Sequence, residues 1–72
     1  MAMEALISEQ GARATLRIGT WTAEVDAAEL RAWAAYSGFD LVMSGEGESK
    51  IVLRDAAQYK LVRLAWTDAA SP

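Results

Sequence analysis

Residues 26–38 read DAAELRAWAAYSG and carry the strongest helix signal in the chain. Asp26 is placed as an N-cap, and Glu29 follows three residues later, as in a capping box. Gly38 favours a left-handed stop at the other end. One side of this helix carries mostly apolar residues: Ala27, Leu30, Ala34 and Ser37, with Trp33 at the edge. Because so short a helix is marginal alone in water, we expect it to pack on a sheet.

The residues before the helix alternate as β-strands do. Residues 4–9 and 12–18 predict two strands, joined by a tight turn at Gln10 and Gly11. After Gly19 the apolar positions change from even to odd numbers, which a two-residue type II′ hairpin at Gly19 and Thr20 explains. This hairpin predicts three apolar pairs: Ile18–Trp21, Leu16–Ala23 and Ala14–Val25. One long strand with a bulge at Gly19 is the alternative.

The residues after the helix predict a second hairpin, with strands at 39–44 and 50–55 and a loop between them. The apolar pattern gives four cross-strand pairs: Met43–Ile51 and Leu41–Leu53 on the helix side, and Val42–Val52 and Asp40–Arg54 on the outer side. The outer side of this hairpin therefore carries two valines next to an opposite-charge pair.

The sequence of residues 56–66 is compatible with either a helix or a strand. A helix there would begin at Asp55. On a helical wheel, however, Leu61 and Leu64 point one way, and three other side chains point nearly the opposite way: Tyr59, Val62 and Trp66. A surface helix usually has a single apolar stripe, so we predict a strand over residues 59–66.

The predicted fold class is α+β: an antiparallel β-meander, one central helix at about 26–38, then a second β-hairpin or meander. The helix packs on one face of the sheet. Residues 1–66 form one small domain, and residues 67–72 form a flexible C-terminal tail. The predicted core comprises Ile7, Leu16, Ile18, Trp21, Val25, Leu30, Trp33, Phe39, Leu41, Met43, Ile51, Leu53, Val62 and Leu64.

The composition argues against catalysis and metal binding. The chain has no His and no Cys, the residue types that most often serve as general base, metal ligand or thiolate nucleophile. The acidic loop at 44–50 has neither the residue order of a phosphate loop nor the alternating oxygen ligands of a calcium loop. The carboxylates of Glu24, Asp26 and Glu29 suit the helix start. We expect no enzyme activity, no cofactor and no metal.

Charge and hydropathy narrow the remaining classes. The formal net charge is −3, and the seven Lys and Arg residues are scattered, whereas nucleic-acid binders usually show a basic patch. The first ten residues lack the parts of a signal peptide. No stretch reaches the roughly 20 apolar residues of a membrane span. We therefore expect a cytoplasmic protein, and this pattern argues against nucleic-acid binding.

Two predicted surfaces are apolar enough to bind another protein. The first is the outer sheet face, with Val42, Val52, Tyr59 and Leu61. The second is the outer helix face, with Ala28, Ala32, Ala35 and Tyr36. Both have a simpler explanation, because valine favours strands and alanine favours helices.

The leading hypothesis is a non-enzymatic small protein–protein interaction module, either a homo-oligomer or an accessory subunit bound to a larger partner. The alternative is a small regulatory inhibitor, encoded by a phage or mobile element, that occupies a host protein surface. Both hypotheses fit a compact acidic domain without catalytic apparatus. Nucleic-acid binding ranks below them.

Overall fold

The computed structural model describes residues 3–69 as one five-stranded antiparallel sheet with two α-helices. The elements are β1 (Met3–Gln10), β2 (Arg13–Ile18), β3 (Trp21–Asp26), α1 (Ala27–Tyr36), β4 (Leu41–Gly45), β5 (Glu48–Leu53), α2 (Ala56–Ala65) and a 3₁₀ turn (Thr67–Ala69). The strand order is β3-β2-β1-β5-β4, so the first strand lies at the centre of the sheet. The predicted α+β class is confirmed.

Both helices pack on the same face of the sheet and bury one apolar core with it. The fully buried large side chains are Leu16, Ile18, Leu30, Ile51, Leu53 and Val62. Three predicted core residues are only partly buried at its margin: Trp21, Trp33 and Leu41. Two predictions are wrong, because the side chains of Met43 and Leu64 are 71% and 76% exposed. The core is centred on β1, β2 and β5.

The predicted turn between β1 and β2 is wrong by one residue, because it lies at residues 11 and 12. The predicted hairpin at Gly19 and Thr20 is confirmed in register. Ile18 lies opposite Trp21, Leu16 opposite Ala23, and the pairing continues to Asp26 without a bulge. Gly19 has a φ of 60°, which supplies the positive angle that a type II′ turn requires at its first central position. The hairpin interpretation is therefore right, and a single bulged strand is excluded.

Both caps that the sequence predicts for α1 are present in the structure. The backbone N–H of Glu29 donates to Asp26 Oδ1 at 2.9 Å. At the other end, Gly38 has a φ of 79°, and its N–H donates to the carbonyl of Ala35. The N–H of Phe39 donates to the carbonyl of Ala34, which completes a Schellman motif. This motif fixes the direction in which the chain enters β4.

The predicted register of the second hairpin is wrong by two residues. Leu41, rather than Met43, lies opposite Ile51, and Val42 lies opposite Lys50. The predicted loop at 45–49 shrinks to a two-residue turn at Glu46 and Gly47, and the register shifts between Met43 and Gly45. The ion pair expected between Asp40 and Arg54 is nevertheless present, with Nη2–Oδ2 at 3.1 Å.

The predicted strand at 59–66 is also wrong, because these residues belong to α2. Asp55 is the N-cap, and its Oδ1 accepts the backbone N–H of Gln58 at 2.9 Å. In return, Gln58 Oε1 accepts the N–H of Arg54 at 2.7 Å. The bond to Asp55 satisfies a donor that the helix start leaves free, and the bond from Arg54 ties the residue before the cap to the first turn.

The predicted tail at 67–72 is described only in part. Thr67–Ala69 form a 3₁₀ turn that contacts β3, and Thr67 Oγ1 donates to the carbonyl of Arg63 at 2.7 Å. Residues 70–72 lie outside the described residues.

Candidate protein-interaction surfaces

Within residues 3–69, the sheet carries helices on one face, and the other face is uncovered. We call this second surface the open face and define it by the outward residues around Leu6: Glu4, Leu6, Arg17, Val42, Lys50 and Val52. Leu6 lies in register between Arg17 of β2 and Lys50 of β5. The exposed fractions of Leu6 and Val42 are 39% and 43%. An apolar side chain thus lies at the middle of a charged sheet surface.

A depression of about 410 Å³ lies in the open face. Its lining residues come from four strands: Leu6, Ile7, Ser8, Thr15, Arg17, Ser44, Glu48 and Ser49. The lining combines one leucine, several hydroxyl groups and a charge of each sign. Such a mixture suits the protruding side chains of another protein, because apolar contact and hydrogen bonds are both offered.

The charges on the open face are only partly neutralised within the described residues. Lys50 Nζ pairs with Glu4 Oε2 at 2.9 Å. Arg17 is in no ion pair within residues 3–69. Exposed ion pairs contribute little to stability, so these side chains remain able to orient a partner.

The structure divides the first predicted surface between two places. Val42 and Val52 lie on the open face, as predicted, but Val52 is paired with Glu4 of β1 rather than with Val42. Tyr59 and Leu61 lie on α2, on the helix side of the sheet. The four residues therefore do not form one surface.

The exposed side of α2 carries a leucine pair, formed by Leu61 and Leu64, that lies one helical turn apart. Their exposed fractions are 47% and 76%. A second depression beside Leu64 is lined by Lys60, Arg63 and Thr67. Sequence reasoning assigned Leu64 to the core and missed this surface. The helical wheel did contain the signal, since it placed both leucines away from Val62.

Aromatic contacts hold α2 against the rest of the fold. The Arg63 guanidinium lies 5.7 Å from the Trp21 ring and 5.5 Å from the Tyr59 ring, and Arg63 Nη1 donates to the Tyr59 hydroxyl at 3.2 Å. The Trp66 ring packs edge-on against the Trp33 ring, with the two ring centroids 5.7 Å apart. Tyr59 is partly buried against the core and is thus a structural contact of α2 rather than a free surface residue.

The second predicted surface lies on α1 as expected. Ala28, Ala32, Ala35 and Tyr36 are all exposed. Tyr36 is 93% exposed and is the last residue of the helix. The three alanines present little side-chain area, so Tyr36 dominates this surface.

The edge strand β4 is a further surface, and sequence reasoning missed it. In the described part of the chain, β4 pairs with β5 along one side, and its other side has no neighbouring strand. Its five residues, LVMSG, include no charged side chain. Met43 is 71% exposed on this strand, although the predicted register placed it in the core. We call this surface the β4 edge.

Comparisons with known protein families, curated proteins and solved structures found no significant match. Neither helix between Met3 and Ala69 is long and apolar enough to cross a membrane. The same residues contain no group of three or more side chains placed to hold a metal ion.

Proposed function

We propose that this protein is a non-enzymatic protein–protein interaction module, acting as a homo-oligomer or as an accessory subunit of a larger partner. The open face is the observation that supports this most directly. Leu6 and Val42 remain exposed there, on a face that the described helices leave uncovered. Apolar side chains grouped on an uncovered face are typical of interaction sites.

The energetics of the open face favour a protein partner. Burying a leucine or valine side chain contributes about 1.5–3 kcal/mol, although the costs of association offset part of this. Arg17, Lys50 and Glu4 surround the apolar centre and would fix the orientation of the partner. Because this face carries both signs of charge and the chain is acidic overall, we propose a protein rather than a nucleic acid as the partner. We also propose a cytoplasmic location, since a chain without Cys needs no oxidising compartment to fold.

The test replaces Leu6 with Glu. The new carboxylate lies between Arg17 and Lys50 in register, so the monomer fold should tolerate it. The matched control is Leu64→Glu, which places the same charge on an exposed leucine of α2. Val52→Lys is a second open-face variant, and its lysine would lie opposite Glu4.

Binding to a larger partner is measured by affinity purification from cells that produce the protein, after circular dichroism has confirmed the fold. We expect Leu6→Glu to weaken association by about 10- to 100-fold and Leu64→Glu to leave it unchanged. A folded Leu6→Glu variant with undiminished association would remove the open face from the proposal.

A further inference from the structure

We infer that the β4 edge binds a second copy of this chain, so that two five-stranded sheets join into one continuous sheet. This inference rests on the proposed function and specifies its self-associating form. The contact would be an antiparallel, two-fold symmetric pairing of β4 with β4 of the second copy.

The first support is the backbone of β4. Alternate N–H and C=O groups of an edge strand point away from its neighbour and can pair with another strand. For the described residues, β5 is the sole strand paired with β4. A second strand is therefore the partner whose chemistry matches this edge.

The second support is that β4 lacks the side chains that usually protect an edge. Such protection comes from charged side chains, above all Lys, or from Pro, and β4 has none of these. The opposite edge, β3, carries Glu24 and Asp26, and the 3₁₀ turn contacts it. The irregularity between Met43 and Gly45 confines regular pairing to Leu41–Met43 and gives a short contact.

The third support is that β4 is complementary to itself in one register. With the two-fold axis at Val42, each Val42 lies opposite the other, and Leu41 lies opposite Met43 of the second copy. Every apolar residue of the contact then has an apolar neighbour. Asp40 falls opposite Ser44 of the second copy, so no two carboxylates face each other. An axis at Met43 would instead place Leu41 against a glycine.

The side chains that would meet in this contact are exposed in the single chain. Val42 is 43% exposed and Met43 is 71% exposed. Because stable complexes bury about 1,200–2,000 Å² and this ladder is short, we expect a dimer whose population depends on protein concentration.

The register is tested by cysteine cross-linking, which is clean because the chain has no Cys. In the Val42-centred pairing, Val42→Cys brings two Cβ atoms about 4.5–5.5 Å apart, close enough for a disulfide after small adjustment. Met43→Cys is the matched control. Its two Cβ atoms would be diagonal neighbours about 7–8 Å apart, although position 43 is the more exposed of the two.

Under mild oxidation we expect Val42→Cys to form a covalent dimer at least about tenfold faster than Met43→Cys. Random collision would favour the more exposed thiol at position 43. Cross-linking of Met43→Cys at the same rate or faster therefore overturns the proposed pairing.

Sedimentation equilibrium separates this inference from the proposed function. We expect Met43→Lys to weaken dimerisation at least about tenfold, because a lysine on an edge opposes pairing, and Leu64→Lys to have no effect. A wild-type chain that stays monomeric overturns the β4 contact, and the partner capture with Leu6→Glu then decides the proposed function. A dimer that Leu6→Glu or Leu64→Lys disrupts, and Met43→Lys does not, also overturns it.

Discussion

The two helices begin alike and differ in what they leave outside. Each has ten residues and starts after an aspartate whose Oδ1 accepts the N–H three residues on, at 2.9 Å in both. Outside, α1 exposes mostly alanines and charged residues, whereas α2 exposes Leu61 and Leu64. On the inside, α1 buries Leu30 and two alanines, and α2 fully buries only Val62.

The apolar side chains of α2 therefore fall into a buried group and an exposed group. Val62, with Tyr59 and Trp66 partly buried beside it, attaches the helix to the core. Leu61 and Leu64 are 47% and 76% exposed and therefore contribute less to that attachment. Substitutions ordered by their expected cost test this division.

The largest effect is expected at the buried leucine of α1. Leu30→Ala removes a side chain that is 1% exposed and should lower the free energy of unfolding by about 2–5 kcal/mol. A domain of this size has only about 4–11 kcal/mol in total. Urea denaturation measures the loss. A cost below about 1 kcal/mol would mean that α1 does not pack as described.

A smaller effect is expected at the buried valine of α2. Val62→Ala removes two methyl groups from a fully buried side chain, at about 0.8 kcal/mol each plus a cavity term, so we expect a loss of about 2 kcal/mol. The same denaturation experiment compares it with Leu61→Ala on the opposite side of the helix. Equal losses of stability for the two variants would contradict the division of α2 into a buried and an exposed side.

Substitution of either N-cap should lower the free energy of unfolding by the same amount, and by less than substitution of a core residue. Asp26→Ala and Asp55→Ala each remove the acceptor of one 2.9 Å hydrogen bond and should each lower the free energy of unfolding by about 0.5–2 kcal/mol. Thermal unfolding followed by circular dichroism measures both. An unchanged midpoint for Asp55→Ala would show that α2 does not depend on its cap.

The smallest effects are expected on the outer sides. Ala35→Ser on α1 should cost a few tenths of a kcal/mol through helix propensity alone. Leu64→Gln on α2 should stay within about 0.5 kcal/mol of the wild type. A loss above about 1 kcal/mol for Leu64→Gln, measured in urea, would place this leucine in the core after all.

The first hairpin could be predicted because its turn and its strands agree. Gly19 fixes a two-residue turn, and the strands on both sides alternate, so a shift of one residue would expose every apolar side chain. In the second hairpin, the turn and the strand pattern do not together define the register. Its register shifts by two residues, which keeps each side chain on the same face, so the apolar pattern cannot detect the shift.

The second helix could have been predicted from its first turn. Asp55 followed by Gln58 is the spacing of a capping box. The structure contains the expected bond from the N–H of Gln58 to Asp55, while the Gln58 side chain binds the N–H of Arg54, one residue before the cap. The two apolar stripes do not argue against a helix, because one stripe packs on the core and the other is exposed. Tyr59 and Leu61 were misplaced for the same reason, whereas Val42 and Val52 depended only on strand parity.

The central position of β1 has a consequence for the order of folding. Each hairpin forms from neighbouring residues, but β1 gains its second neighbour only when Met3 pairs with Leu53 at the far end of β5. Contacts so distant in sequence are slow to form. During synthesis, one edge of β1 in the β1–β2–β3 meander therefore stays unpaired until β5 has been synthesised. During that interval the unpaired edge of β1 is open to aggregation.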